Sequence, residues 1–304
     1  MILSREIFPP MHHAVSVELV KDKMIAVWYS ASYETATDTV ISLIRHDGKH
    51  WSDPETVVEF PGFGLGNPVL WKAPNGDLWL LFVVLSERDW KSSVIFRKIS
   101  KDMGKTWSVM DRIFDQKGLM TKGRPLVLSN GSYVIPVYDE KLWAPMVLIS
   151  ENGGSNWNLH GDTTAVGVIQ PNIVELDDGT LMMLSRSKMG KMYISHSFNH
   201  GFSWTSSVPT NIPNPNSGTD LVKYKKTLIL AYNHSTVARN RLDLAFSYNN
   251  GLSWTNPVNL LSEAVGEYSY PCILIHDDEL HVFFTYNRMN IAHESLKLEE
   301  IKVK

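Results

Sequence analysis

The chain has 304 residues, 43% of them hydrophobic and 11% aromatic, which supplies a large buried core and excludes intrinsic disorder. Lys and Arg number 29 against 32 Asp and Glu, a net charge of −3, and the basic residues are scattered, which argues against nucleic acid as a partner. No stretch reaches the length of a membrane span and residues 1–13 carry no apolar run behind a basic start, so the expectation is a cytoplasmic protein without a signal peptide, secreted or periplasmic only if a leader was removed.

In chain order, the phrase PPMHHAV places His12 and His13 at the head of the first predicted strand. An apolar strand then enters the loop of WYSASYETATDTVISLIR, where Glu34 and Asp38 lie ahead of RHDGKHW at 45–51. That phrase is a degenerate copy of a motif, Ser-x-(Asp/Asn)-x-Gly-x-x-Trp, which recurs as SKDMGKTW at 100–107, SENGGSNW at 150–157, SFNHGFSW at 197–204 and SYNNGLSW at 247–254. Each copy reads as a hairpin turn: the Asp or Asn accepts from turn amides, the glycine takes a positive φ and the tryptophan folds back over the turn. These acidic residues are therefore structural. Between the copies the text alternates as short strands, for example IVELDDGTLMMLSRS at 173–187 and LVKYKKTLILAYN at 221–233. The tryptophans at 51, 107, 157, 204 and 254 recur at about fifty-residue intervals, with room for one further unit after the last. The implied fold is all-β: a six-bladed β-propeller of four-stranded blades, residues 1–304 forming one domain, with the segment Ile7 to Val20 closing against the last blade. Cys272, the only cysteine, lies in an apolar strand and is expected to be buried, without a disulfide. His12 and His13 are adjacent and no His-x-x-x-His pair or cysteine set accompanies them, so neither a metal nor another cofactor is expected.

Hairpins of this type at this period, known as Asp boxes, together with IQPNIVELDDGTLMMLSRS at 169–187, NPNSGTD at 214–220 and GEYSYP at 266–271, resemble the sialidase (neuraminidase) superfamily, and within it the bacterial BNR-repeat group of predicted neuraminidases. The resemblance covers nearly the whole chain. It implies a glycoside hydrolase that cleaves a terminal acidic sugar such as sialic acid from a glycan. Several guanidinium groups must then converge on the sugar carboxylate, and Arg186, Arg239 and Arg288 are the candidates, with Arg241 an alternative to Arg239. Asn216, within NPNSGTD, joins them as a substrate-binding candidate. The nucleophile of the superfamily is a tyrosine, since a neutral phenol can approach an anomeric centre that carries a carboxylate. Tyr268 fits that place; Tyr270, two residues on, is expected to point the same way in a strand, and Glu267 stands beside them. Either Glu34 or Asp38 would be the acid/base.

Two departures stand out. The Arg-Ile-Pro phrase that opens sialidases is replaced by PPMHHAV, which leaves His12 and His13 in the place of an arginine, and Gln170 stands where the glutamate assisting the tyrosine would be. A histidine near a tyrosine is also what sialidase-like polysaccharide lyases of uronic acids use, with His13 or His234 as base. A non-catalytic glycan-binding propeller is the third reading, because the boxes themselves carry no chemistry.

Overall fold

The computed structural model describes residues 1–3, 9–162 and 164–301. Each Asp box closes on itself. In the first, Ser100 Oγ accepts from Gly104 N and donates to Asp102 Oδ1, while Asp102 takes the Thr106 amide at 2.8 Å and its hydroxyl at 2.6 Å. Gly104 has φ +81°, a conformation that a side chain would strain, and packs against the Trp107 ring. The same net recurs around Asn152, Asn199 and Asn249, so the turn geometry is written within eight residues.

These hairpins join strands into six antiparallel sheets arranged as propeller blades. Blade 1 runs from Met11–Val20 to Glu55–Glu59, blade 2 from Gly64–Lys72 to Asp111–Arg112, and blade 3 from Leu119–Thr121 to Asn158–Gly161. Blade 4 runs from Val168–Glu175 to Val208–Pro213, blade 5 from Asp220–Tyr224 to Val258–Ser262, and blade 6 from Tyr268–His276 to Asn290–Lys297. Apolar clusters fill the seams between neighbouring blades; one joins Val27, Ile41 and Leu43 of blade 1 to Leu70, Leu80 and Phe82 of blade 2.

The expected closure differs in detail. Blade 6 has three strands among the described residues, not four. Its outer strand is instead met by the extreme N-terminus: Ile2 N donates to Ile291 O at 2.8 Å, and the Asn290 side-chain amide bonds Leu3 at both N and O. Met11–Val20 is the innermost strand of blade 1 and meets blade 6 from the side, through His12 N on Arg288 O and Val17 N on the Cys272 thiol. The start of the expected segment, Ile7 and Phe8, lies outside the described residues. Cys272 is buried and unpaired, as its surroundings in the sequence imply.

One irregularity repeats around the ring. The first strands of blades 1, 2, 4 and 6 break register at 13–16, 66–69, 169–172 and 269–272. In each break one non-glycine residue takes a left-handed φ: Ala14 at 58°, Asn67 at 43°, Gln170 at 53° and Tyr270 at 53°. A bulge sets two residues opposite one and re-aims a side chain, at a backbone cost of about 1–3 kcal/mol per strained residue. The bulges occur where the innermost strands approach one another, at the centre of the ring.

Candidate active site

The bulge residues and three strand-end arginines build one cluster. Arg186 ends the second strand of blade 4, Leu181–Ser187; Arg239 lies in the 233–240 loop of blade 5; Arg288 sits in the turn between Glu279–Tyr286 and Asn290–Lys297. Arg186 Nη1 donates to Tyr270 Oη at 2.8 Å. Arg239 donates to Glu267 Oε1 at 3.1 Å and to the Asn216 carbonyl at 2.7 Å. Arg288 donates through Nε to Glu267 Oε2 at 2.8 Å and through Nη1 to Glu34 Oε1. Glu267 thus bridges two guanidinium groups from different blades, and Ser269 Oγ adds a third bond at 2.7 Å.

Across the centre, Gln170 Nε2 donates to Tyr270 Oη at 3.1 Å and to Tyr138 Oη at 3.3 Å, and Asn67 Nδ2 donates to Tyr138 Oη at 3.3 Å. The His13 ring stands 4.2 Å from the Tyr270 ring, centroid to centroid. Its Nδ1 is bonded to Thr285 Oγ1 at 2.9 Å; its Nε2 is buried without a hydrogen-bond partner, 4.0 Å from Glu34 Oε1.

The electrostatics follow from this crowding. Burial, then the positive charges of Arg288, Arg239, Arg186 and Lys122, hold His13 well below the usual histidine range, so it is a neutral imidazole near pH 7. Burial pushes the Tyr270 phenol up, but Arg186, Arg239 and the Gln170 amide outweigh it and hold Tyr270 below an ordinary tyrosine. Tyr29 goes the other way, raised by burial and by Glu34, and so does Tyr138, raised by burial and by Glu140. Burial pulls Glu267 up, but the bonds from Arg288 and Ser269 prevail and lower it; burial raises Glu140, against the pull of Arg186. A centre with four basic groups, Arg186, Arg239, Arg288 and Lys122, favours an anionic ligand.

Of the residues singled out in the sequence, Arg186, Arg239, Arg288, His13, Gln170, Tyr270, Glu267 and Glu34 come together here. Asn216 joins through its carbonyl. Tyr268 does not. It is fully buried in an apolar cluster with Ile229, Phe246 and Phe284, and burial and Glu263 raise its phenol above the ordinary range. The expectation that Tyr268 and Tyr270 share a side fails because the bulge with left-handed φ at Tyr270 breaks the strand alternation between them. Asp38 ties its own loop, accepting from Ser32 N at 3.2 Å and from the Ser32 hydroxyl. Arg241 pairs with Asp243 two residues away. His234 bonds Tyr232 Oη at 2.6 Å in the cleft between blades 4 and 5. His12 Nδ1 is engaged by Ser30 and Trp28.

Sequence reasoning missed Asn67, Tyr138, Lys122 and Glu140. A signal existed for Asn67, since Asn67-Pro68 repeats the bulge phrase of Gln170-Pro171 and Tyr270-Pro271. For the other three no pattern marks them. Among the described residues no group of three or more His, Cys, Asp or Glu side chains is placed to hold a metal ion.

A six-bladed propeller with Asp-box hairpins and an arginine-lined centre is the class these observations define. Residues 22–282 match the BNR repeat-like domain, and the chain belongs to that family. It is 23% identical to a sialidase of Bacteroides fragilis (strain YCH46) over 318 residues, covering 90% of this chain and 58% of that protein, so the chain spans little more than half of that relative. Among solved structures, the Hadza microbial sialidase Hz136 is similar with a TM-score of 0.83 at 17% identity, covering 95% of this chain and 66% of that one. The intramolecular trans-sialidase from Ruminococcus gnavus, solved with oseltamivir carboxylate, is similar with a TM-score of 0.79 at 14% identity over 96% of both chains. At these identities the likeness establishes the fold.

Proposed function

We propose that the chain is a sialidase-type glycoside hydrolase that releases a terminal acidic sugar, such as sialic acid, from a glycan, with residues 1–304 acting as one propeller domain. The observation that carries this reading is the convergence of Arg186, Arg239 and Arg288, from three blades, around Tyr270 and Glu267. The arginines receive the sugar carboxylate, and Glu267 keeps two of them in place. Tyr270 Oη attacks the anomeric carbon; a carbon–oxygen bond forms there as the glycosidic bond breaks. Glu34 supplies the proton to the departing oxygen. In its bond to Arg288 Glu34 is a carboxylate; an incoming sugar carboxylate competes for the same guanidinium, and the freed Glu34 takes up from solvent the proton that it then delivers. Water then takes the place of the leaving group, with Glu34 accepting its proton and Tyr270 departing from the anomeric carbon. The relatives named above support the reading through the printed activities of sialidases and trans-sialidases.

A second reading is favoured by one observation: the unpartnered His13 Nε2 beside the Tyr270 ring. In a sialidase-like lyase or a glycosidase of another anionic or deoxy sugar, His13 would take a proton and Tyr270 would serve the leaving side. Product analysis on acidic glycans separates these. Free acidic sugar is the expected product; an unsaturated, ultraviolet-absorbing sugar would replace the first reading by the second, and binding without any product would make the chain a glycan-binding propeller.

A further inference from the structure

Tyr270 Oη accepts two hydrogen bonds from groups that only donate in this arrangement, Arg186 Nη1 at 2.8 Å and Gln170 Nε2 at 3.1 Å. Three cations also surround its ring: the Lys122 ammonium at 5.8 Å, and the Arg186 and Arg239 guanidinium carbons at 5.7 and 6.0 Å from the centroid. The carboxylates nearby are occupied elsewhere. Glu267 is bound by Arg239, Arg288 and Ser269, and Glu34 by Arg288. No carboxylate among the described residues is bonded to the Tyr270 hydroxyl, so none is placed to take its proton during a reaction.

We propose that the cations around Tyr270 stabilise its oxygen as a phenolate and that the Gln170 amide is the positioning residue that adds to this, donating to the oxygen without adding a negative charge. The inference deepens the glycosidase reading and rests on it only for what the phenolate then does. An oxygen that accepts from a guanidinium and an amide is stabilised in its charged form. A carboxylate at position 170 would act in the opposite sense, placing like charge within hydrogen-bond reach of the oxygen and favouring the protonated phenol. The groups that face Tyr270 divide accordingly. His13 and Tyr29 on blade 1 are neutral; Glu34 on blade 1 opposes the phenolate; Lys122 on blade 3, Arg186 on blade 4, Arg239 on blade 5 and Arg288 on blade 6 favour it; Tyr138 on blade 3 is protonated, and Glu267 on blade 6 is neutralised by its own arginines.

Local packing enforces the amide's place. Gly218, in the 214–219 connection between blades 4 and 5, lies against it, and a Cβ there would come within 3.0 Å of Gln170 Oε1 and 3.2 Å of the Tyr270 ring. A larger residue at 218 would push the amide and the ring apart. The left-handed backbone at both Gln170 and Tyr270 turns the two side chains toward each other from blades 4 and 6.

The test reads tyrosinate directly, by ultraviolet difference titration and by NMR of Cζ-labelled tyrosine, in the full chain without substrate. One of the 11 tyrosines is expected to titrate below the ordinary tyrosine range, and that step is absent in Tyr270→Phe. Gln170→Glu should move the step upward by about 1–3 pH units, and Gln170→Met, which keeps length but removes the donor, by less. The order wild type, then Met, then Glu is one that a merely structural role would not produce. If every tyrosine of the wild-type chain titrates at or above the ordinary value, the proposal is overturned without recourse to a variant; a step that stays in place in folded Gln170→Glu overturns the role of the amide. Failure of the chain to act on any sialoside while the low step persists would sink the glycosidase reading and leave this one standing.

Discussion

Replacing Glu267 by Gln isolates the bridge between two of the arginines. The carboxylate accepts from Arg239 at 3.1 Å, Arg288 at 2.8 Å and Ser269 at 2.7 Å, and the three charged side chains are 24%, 30% and 25% exposed for Arg239, Arg288 and Glu267. A hydrogen bond to a charged partner contributes about 1.5–3 kcal/mol when buried, and an exposed ion pair no more than about 1, so each arginine contact at this exposure is worth about 1 kcal/mol. The serine bond survives in the amide. The variant should therefore lose about 2 kcal/mol at neutral pH, because the two guanidinium groups are left close together without the charge between them. The pH dependence follows from the lowered carboxyl of Glu267. Its stabilisation is fully present above the unfolded value of about 4.3 and is lost as pH falls through the lower folded value, so the gap between wild type and Glu267→Gln closes in that acid window. Urea denaturation from neutral pH down through the window measures it. Equal stability at neutral pH, or a gap that stays constant as the carboxyl titrates, would refute a bridging carboxylate.

Tyr270→Phe should lower kcat by about 10³-fold or more, whereas Tyr268→Phe should leave turnover near wild type and change stability by no more than about 1 kcal/mol; steady-state kinetics and urea melts on the pair decide which tyrosine reacts. Arg186→Lys keeps the charge but not the fork, and should raise KM for an acidic sugar about 10–100-fold with the fold intact by circular dichroism. Gly66→Ala would place a Cβ within 2.5 Å of the Trp90 ring, which packs edge-on at 6.4 Å against Tyr29; the ring must move, and thermal melting should report a loss of about 1–3 kcal/mol with altered tryptophan fluorescence.

The amino-acid sequence alone determined the blades. The Ser-x-(Asp/Asn)-x-Gly-x-x-Trp turn is held by bonds within a few residues, so its spacing is legible as text, and with it the six-bladed ring. The residue types of the centre were legible too, because Arg186, Arg239 and Arg288 stand near strand ends and Gln170 and Tyr270 precede prolines. The choice between neighbours was not. Tyr270 rather than Tyr268 faces the centre because a left-handed bulge interrupts an alternation that the letters continue. Arg239 rather than Arg241 joins the central cluster because Asp243 captures the latter. The closing partner of blade 6 is set by hydrogen bonds from Ile2 and Leu3 to a strand that begins at Asn290. Local turns are chosen by nearest neighbours, whereas contacts such as Glu34 with Arg288, 254 residues apart, exist only once the ring has closed, and so tertiary structure alone decided which charges meet.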